Sequence, residues 1–212
     1  MKTRLLLVRH GQSEGNRRKI FLGHTDLSLS ALGKAQAKAA AEYLSAFPPA
    51  AIYSSDLRRA VETAEPTAAL HGLPIQTRRA LREIDCGLWS GKPYDVIRET
   101  YKESWESFLK PLDPHLIRCA GGESVAEMAE RFSREILRLG AQHEGETVFV
   151  FTHATVIRAL ALRCGYRSYF CDVPGPTNAS VSEFIYENNI LTLKEYGRDG
   201  HMEGISSGSH LE

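Results

Sequence analysis

What the 212-residue chain has little of narrows its class first. It has no net charge, because 26 Lys and Arg balance 26 Asp and Glu, so no basic excess draws it to nucleic acid or to an anionic membrane surface. No apolar run approaches the roughly 18 residues of a membrane span, and the opening MKTRLLLVRHG is too short an apolar run to read as a signal peptide. The cysteines are few, and Cys86, Cys119, Cys164 and Cys171 show no CxxC spacing. Free thiols in a reducing compartment, the cytoplasm, are therefore expected. His10, His24, His71, His115, His143 and His153 show neither HExxH spacing nor a Cys/His cluster, so neither a metal nor another cofactor is expected. The partner is expected to be a small molecule, and the choice between monomer and homodimer stays open. The length suits one domain over residues 1–199. Residues 200–212 read as a polar tail ending in what looks like a tag scar.

What is present is an alternation of strand and helix patterns. Arg4 to Val8, Ala51 to Ser54 and Thr147 to Thr152 are short apolar runs of the kind that form buried parallel strands. Helical character follows at Ser30 to Phe47, at Asp56 to Leu70 with a capping type of residue in front, at Glu123 to Leu139 and at Ala154 to Cys164. Val125, Met128, Ala129, Phe132, Ile136 and Leu139 fall on one helical face. Val181 to Tyr186 and Ile190 to Tyr196 read as a hairpin. The expected fold is a three-layer α/β/α sandwich whose mostly parallel sheet ends in an antiparallel edge. Lys92 to Cys119 is the least regular stretch, with Trp105, Phe108, Pro111 and Pro114 among charges, and is read as a possible cap.

The chemistry-bearing residues share one position in this pattern. Arg9-His10-Gly11 follows the first strand, Arg58 follows the second, and His153 lies between the third strand and its helix. Ligands of open α/β sheets bind beyond the carboxyl ends of the strands, so these side chains can converge. A helix start at His153 and planar arginine donors suit a phosphate. Phosphoryl transfer needs a nucleophile, charge stabilisation and a proton for the leaving group. His10 fits the nucleophile as neutral imidazole, His153 serves best protonated, and Glu83 is the chosen proton donor with Asp85 competing.

These residues resemble the histidine phosphatase, or phosphoglycerate mutase-like, superfamily. The blocks that carry the resemblance are Val8-Arg9-His10-Gly11-Gln12-Ser13 with Asn16, Thr25 to Ser30 with Gly33, and Ser54 to Ala60 with Thr63 and Ala64. Leu81-Arg82-Glu83-Ile84 with Gly87 to Gly91, Gly121 to Ser124, and Phe151 to Arg158 complete them. The resemblance implies a phosphoglycerate mutase-like fold, His10 as phosphoacceptor, Glu83 as proton donor, and a phosphate pocket of Arg9, Arg58 and His153 completed by Asn16 and the backbone at Ala154. Ala154 departs from the family's usual glycine and adds a methyl group beside the phosphate. The short connection from Glu83 to Gly121 looks more like the small phosphatases, which include broad-specificity phosphomonoesterases, α-ribazole-5′-phosphate phosphatases and fructose-bisphosphate phosphatases, than like the mutases. The expected function is metal-independent hydrolysis of small-molecule phosphate esters through a phosphohistidine. Phosphoryl transfer of the mutase type and a catalytically inactive phosphate-binding module are the alternatives.

Other readings are weaker. Arg59 is read as a solvated charge beside Arg58, Trp89 and Trp105 as packing residues, and Cys86 as a buried hydrophobe. Gly11-Gln12-Ser13-Glu14-Gly15 fits the G-x-S-x-G pattern of serine hydrolases, but leaves Arg9 and Arg58 unexplained.

Overall fold

Successive side chains of a strand point to opposite faces of a sheet, so a strand can be apolar without interruption only where helices cover both faces. The computed structural model, which describes residues 1–110 and 113–205, has this arrangement. In chain order its elements are β1 (Thr3–Arg9), α1 (Glu14–Arg17), β2 (Ile20–Phe21), α2 (Ala31–Leu44), β3 (Ala51–Ser54), α3 (Arg58–His71) and β4 (Ile75–Thr77). Then come β5 (Lys92–Pro93), α4 (Tyr94–Thr100), α5 (Lys102–Phe108), α6 (Val125–Gln142), β6 (Thr147–Thr152), α7 (Ala154–Arg163), β7 (Val181–Glu187) and β8 (Ile190–Arg198).

The main sheet has the order β4-β3-β6-β1-β7-β8. β1, β6, β3 and β4 pair in parallel, whereas β7 and β8 close one edge antiparallel. This is the expected three-layer α/β/α sandwich with an antiparallel edge. The β7–β8 turn is made by Asn188 and Asn189, both with left-handed φ (52° and 63°), the geometry of a tight two-residue hairpin.

Alternation along β1 sorts the core. Leu5 and Leu7 join Val148, Val150, Phe132, Ile136 and Ile157 on the α6 and α7 face, while Leu6 and Val8 join Phe149, Phe151, Leu44, Ala64 and Ala68 on the α2 and α3 face. Each fully buried leucine contributes roughly 1.5–3 kcal/mol. The six expected apolar positions of α6 are all buried. Its start lies two residues later than the pattern suggested, because Ser124 forms a capping box with Glu127: the Ser124 hydroxyl accepts from the Glu127 N–H at 3.1 Å and the Glu127 carboxylate accepts from the Ser124 N–H at 2.8 Å.

Several details differ from the sequence reading. Asp56 does not cap α3; it pairs with Arg82 at 2.6 and 2.7 Å, and the carboxylate that accepts the first α3 N–H, that of Arg58, comes from Asp26 at 2.7 Å. Short α1, β4 and the β2–β5 pair had no periodicity long enough to read. The expected polar tail does not begin at residue 200, because Gly200–Met202 form a 3-10 turn. There Met202 is buried against Ala39, Ala40 and Ala179, and His201 stacks on Tyr43. Residues 206–212, including the supposed scar, lie outside the described residues, as do residues 111 and 112 of the possible cap.

The turn after β1 and the start of α2 are in backbone contact. A Cβ on Gly33 would lie 2.0 Å from the Gln12 carbonyl oxygen, and backbone cannot rotate out of the way as a side chain can. Gly33→Ala is therefore expected to cost about 1–3 kcal/mol and to lower activity by displacing the turn that carries His10. Lys34→Ala, on the exposed side of the same helix, should change stability by less than about 0.5 kcal/mol. Urea unfolding of the two variants checks this, and equal midpoints would refute it.

Candidate active site

The carboxyl ends of β1, β3 and β6 deliver three side chains to one edge of the sheet. His10 follows β1, Arg59 stands in the first turn of α3 after β3, and His153 is the N-cap residue of α7 after β6. The parallel register sets Arg9 beside Thr152, and the His10 N–H donates to the Thr152 carbonyl at 2.9 Å. The two imidazoles meet edge to face with ring centroids 5.2 Å apart.

The protonation of His10 follows from its partners. Nδ1 lies 2.7 Å from the Gly11 carbonyl oxygen, which can only accept, so Nδ1 carries the proton. Nε2 receives the Arg59 Nε–H at 3.2 Å, which can only donate, so Nε2 presents its lone pair. Burial, followed by the charges of Arg59 and Arg9, holds the His10 pKa well below the ordinary histidine value. His10 is thus a neutral imidazole whose Nε2 lone pair points into the site.

Arg58 does not contribute here. Its side chain is exposed and reaches Ser28 Oγ at 3.2 Å. Arg59, expected to be solvated, is 1% exposed, donates through Nη1 to the Thr25 carbonyl and through Nη2 to the Gly23 carbonyl at 2.9 Å each, and faces His10 with Nε. The reason is helix phase. Arg59 shares the buried stripe of α3 with Thr63, Thr67, Ala60, Ala64 and Ala68, and one residue back the chain points outward. That stripe of small residues at i, i+4 spacing was the available signal. Burial lowers the Arg59 pKa to about 10, which leaves it charged at neutral pH.

His153 is fully buried, and burial, followed by Arg59 and His10, holds its pKa well below the ordinary value. The expected protonated ring is therefore neutral in this structure. Its Nε2 is 2.8 Å from Ser55 Oγ, and Ser55 Oγ already accepts the Leu57 N–H at 3.3 Å. Among the described residues the buried hydroxyl hydrogen has no acceptor other than Nε2, and giving it there places the ring proton on Nδ1, an atom with no hydrogen-bond partner. Ser55 thus keeps an unspent donor on His153, a role the sequence reading missed.

A cavity of about 330 Å³ opens over His10 and Arg59, whereas His153, fully buried, is not among the residues that line it. Arg9, His10, Arg59, Glu83, Ala154 and Thr155 line it together with Asn16. Arg9 is buried and donates to the Pro176 carbonyl through Nη1, while its Nε has no partner. Asn16 Oδ1 accepts from Ser13 N–H and Oγ at 3.0 and 2.9 Å, so only its amide nitrogen is left for a ligand. The same bonds bury Ser13 completely, which removes it as a serine nucleophile. Glu83 lines the cavity, held by the Thr155 N–H on Oε2 at 3.1 Å and the Ile84 N–H on Oε1 at 3.0 Å. Asp85 instead accepts from the Gly87 N–H at 3.0 Å, away from the cavity. The other wall is formed by Phe21, Tyr94 and Phe108 with Arg158 and the 171–175 loop. Among the described residues no group of three His, Cys, Asp or Glu side chains could hold a metal ion.

The sequence profile of the histidine phosphatase superfamily, branch 1, matches residues 5–199. The chain belongs to that superfamily. Phosphoglycerate mutase-like protein 4 of Arabidopsis thaliana is 34% identical over 202 residues, spanning 94% of this chain and 86% of the relative. Phosphoserine phosphatase 1 of Hydrogenobacter thermophilus is 35% identical over 157 residues, 74% of each protein. Among solved structures, YhfR of Bacillus stearothermophilus superposes with a TM-score of 0.88 at 30% identity, covering 94% of this chain and 99% of the other. With its phosphatase relatives, the chain is a phosphoric monoester hydrolase of the histidine phosphatase superfamily.

Two outcomes follow for this histidine phosphatase. Arg59→Ala should lower kcat/KM for an aryl phosphate by about 100- to 1,000-fold, the usual loss for one donor to a developing charge, whereas Arg58→Ala should lower it by less than about threefold. Equal tolerance at the two positions would refute the geometry. Stability should also depend on pH through the two buried rings. Both stay neutral when folded, whereas the unfolded rings take up protons near about pH 6.5. Just below that pH the unfolded state binds more protons, so stability is complete above it and falls as pH is lowered toward the depressed folded values. Urea midpoints between about pH 7.5 and 5 should fall more steeply for the native protein than for His153→Gln; identical slopes would count against a neutral His153.

Proposed function

We propose that this phosphatase cleaves small phosphate monoesters through a covalent phosphohistidine on His10. The observation that carries the reading is the fixed tautomer of His10, with Nδ1–H spent on Gly11 and the Nε2 lone pair turned toward Arg59 at the cavity floor. A phosphate ester that enters brings its phosphorus to Nε2, and the Arg59 Nε–H passes from the ring to a phosphate oxygen. The N–P bond forms as the ester P–O bond breaks. Glu83 gives its proton to the leaving oxygen. Arg9, Arg59, the His153 Nδ1–H, the Asn16 amide and the backbone at Ala154 are proposed to hold the phosphoryl oxygens, the last at the start of a helix, where the first N–H groups have no partner within the helix. In the second step the Glu83 carboxylate takes a proton from water, whose oxygen attacks phosphorus. The N–P bond breaks, inorganic phosphate leaves, and Nε2 regains its lone pair.

No step in this scheme requires a metal ion. Segment 92–119 is read as a cap that shapes the leaving-group side, a role supported by Tyr94 and Phe108 in the cavity wall. The four unpaired cysteines support placement in a reducing compartment, and no helix among the described residues is long and apolar enough to cross a membrane.

Phosphate release from an aryl phosphate in excess EDTA is expected for the native protein. In His10→Ala it should fall by about 1,000-fold or more. Glu83→Gln, which can no longer activate water, should accumulate an acid-labile phosphoprotein carrying one phosphoryl group on His10, read by mass spectrometry. Turnover that survives in His10→Ala would rule out the nucleophile.

A further inference from the structure

The loop that carries Glu83 belongs to neither a strand nor an α-helix. It runs from the 3-10 turn Arg79–Leu81 to the 3-10 turn Gly87–Trp89, so regular secondary structure does not set the position of its carboxyl group. Of the bonds to that carboxylate, the one from the Ile84 N–H comes from the loop itself and cannot anchor it. An anchor outside the cavity is Arg131, in the middle of α6. Its Nη1 donates to the carbonyls of Ala80 and Arg82 at 2.9 and 3.1 Å, and its Nη2 to the carbonyl of Glu83 at 3.2 Å. Nε and Nη2 also donate to the Glu123 carboxylate at 2.9 and 2.8 Å. Together these contacts spend every N–H donor of the guanidinium.

Glu123 extends the clamp to the residues after Glu83. Its carboxylate accepts the Asp85 N–H at 2.9 Å, and its own N–H donates to the Asp85 carbonyl at 2.9 Å. The His24 ring holds the Glu83 carbonyl as well, with Nε2 at 2.9 Å from an oxygen that can only accept. His24 lies in the same loop that offers the Gly23 and Thr25 carbonyls to Arg59, so the Glu83 loop is tied to the loop that holds the buried charge. An exposed ion pair joins two side chains and contributes little. A planar fork spent on the carbonyls of one irregular loop does something else, because it fixes the path of that loop against a helix.

We propose that Arg131 is a positioning residue for the hydrolysis: through Glu123 and the carbonyls it holds, it keeps the Glu83 carboxyl within reach of the leaving-group oxygen. This rests on the reading of Glu83 as proton donor given above. Arg131 is not among the residues that line the cavity, so it acts on the substrate only through the loop. Proton transfer is sensitive to placement, and a shift of about 1 Å caused by a change remote from the chemistry can cost about 100-fold. The effect of Arg131 must therefore depend on how much the leaving group needs a proton. An alkoxide leaves readily only when protonated, whereas 2,4-dinitrophenolate is stable enough to leave without one.

The experiment measures kcat/KM, which reports the step that forms the phosphohistidine, for glycerol 2-phosphate and for 2,4-dinitrophenyl phosphate. It compares the native protein with Arg131→Met, Glu83→Gln and the double variant. Arg131→Met should lose about 10- to 100-fold on the alkyl ester and less than about threefold on the dinitrophenyl ester. In the Glu83→Gln background it should bring no further loss on the alkyl ester, since the two residues act as one unit. Equal losses on both esters overturn the proposal, because they mean a general distortion of the fold or of the phosphate pocket, and so does an unchanged alkyl rate. Arg131→Lys gives the answer if Arg131→Met does not fold. It keeps the charge but presents its donors from a single point in place of a fork, so the same selective loss is expected, and full alkyl activity overturns the proposal. If Glu83→Gln itself does not discriminate between the two esters, the assignment of Glu83 falls, and this proposal with it. Selective loss in Glu83→Gln without selective loss in the Arg131 variants removes only the role of Arg131.

Discussion

A buried guanidinium facing a buried imidazole is the constraint around which this site is built. Arg59 has lost its water without gaining a carboxylate, and burial of an unpaired charge is among the costliest things a fold can do. The compensation comes from carbonyl oxygens of a loop, those of Gly23 and Thr25, and from the His10 lone pair. The loop must therefore run close to α3. Gly23 adopts a left-handed φ of 50°, and a Cβ there would meet Cys86 at 2.8 Å. Thr63 ties the same helix to the nucleophile turn, accepting the Gly11 N–H at 3.0 Å and donating to the Arg59 carbonyl at 2.6 Å. Each of these contacts serves to hold one positive charge where solvent cannot reach it.

That charge explains why both histidines are neutral. An imidazolium beside Arg59 and Arg9 would add a third positive charge to a desolvated cluster, and so both rings are pushed below their ordinary range. For His10 this is what the proposed nucleophile needs. For His153 it means that, in the proposed mechanism, the ring would meet negative charge as a neutral donor, with Ser55 selecting the tautomer, unless an arriving anion brings a proton with it. An anion changes the balance for every member of the cluster at once.

How much of this was legible in the sequence depended on what each feature needs. β1, β3 and β6 were visible because a strand buried on both faces is marked by its own composition, and β3 and β6 begin and end where the pattern placed them. The convergence of His10 and His153 was legible because topology alone brings strand ends together, whereas Glu83, in a loop after a 3-10 turn, was chosen for its acid type and its block of sequence. The choice between Arg58 and Arg59 was not settled by position relative to the strand. It turned on the phase of α3, which the Ala60, Ala64 and Ala68 stripe carried and the adjacent pair of arginines obscured. The protonation of His153 was beyond reach, since it is set by a neighbour 94 residues away in α3 and by burial. Asp26 as the partner of the α3 N-terminus was hidden for the same reason.

Ala154 shows how little a departure from family pattern can mean for backbone and how much for the ligand. It is the first residue of α7, in right-handed helical conformation, so no left-handed φ calls for glycine and alanine is the better helix former. Ala154 lines the cavity next to Thr155, whose N–H holds Glu83. With Arg158 one turn further along the same helix, α7 lines the cavity at two points, and a rigid helix fixes the spacing between the two. The spacing of Ala154 and Arg158 is then set by one helix and not by the aromatic wall at Tyr94 and Phe108.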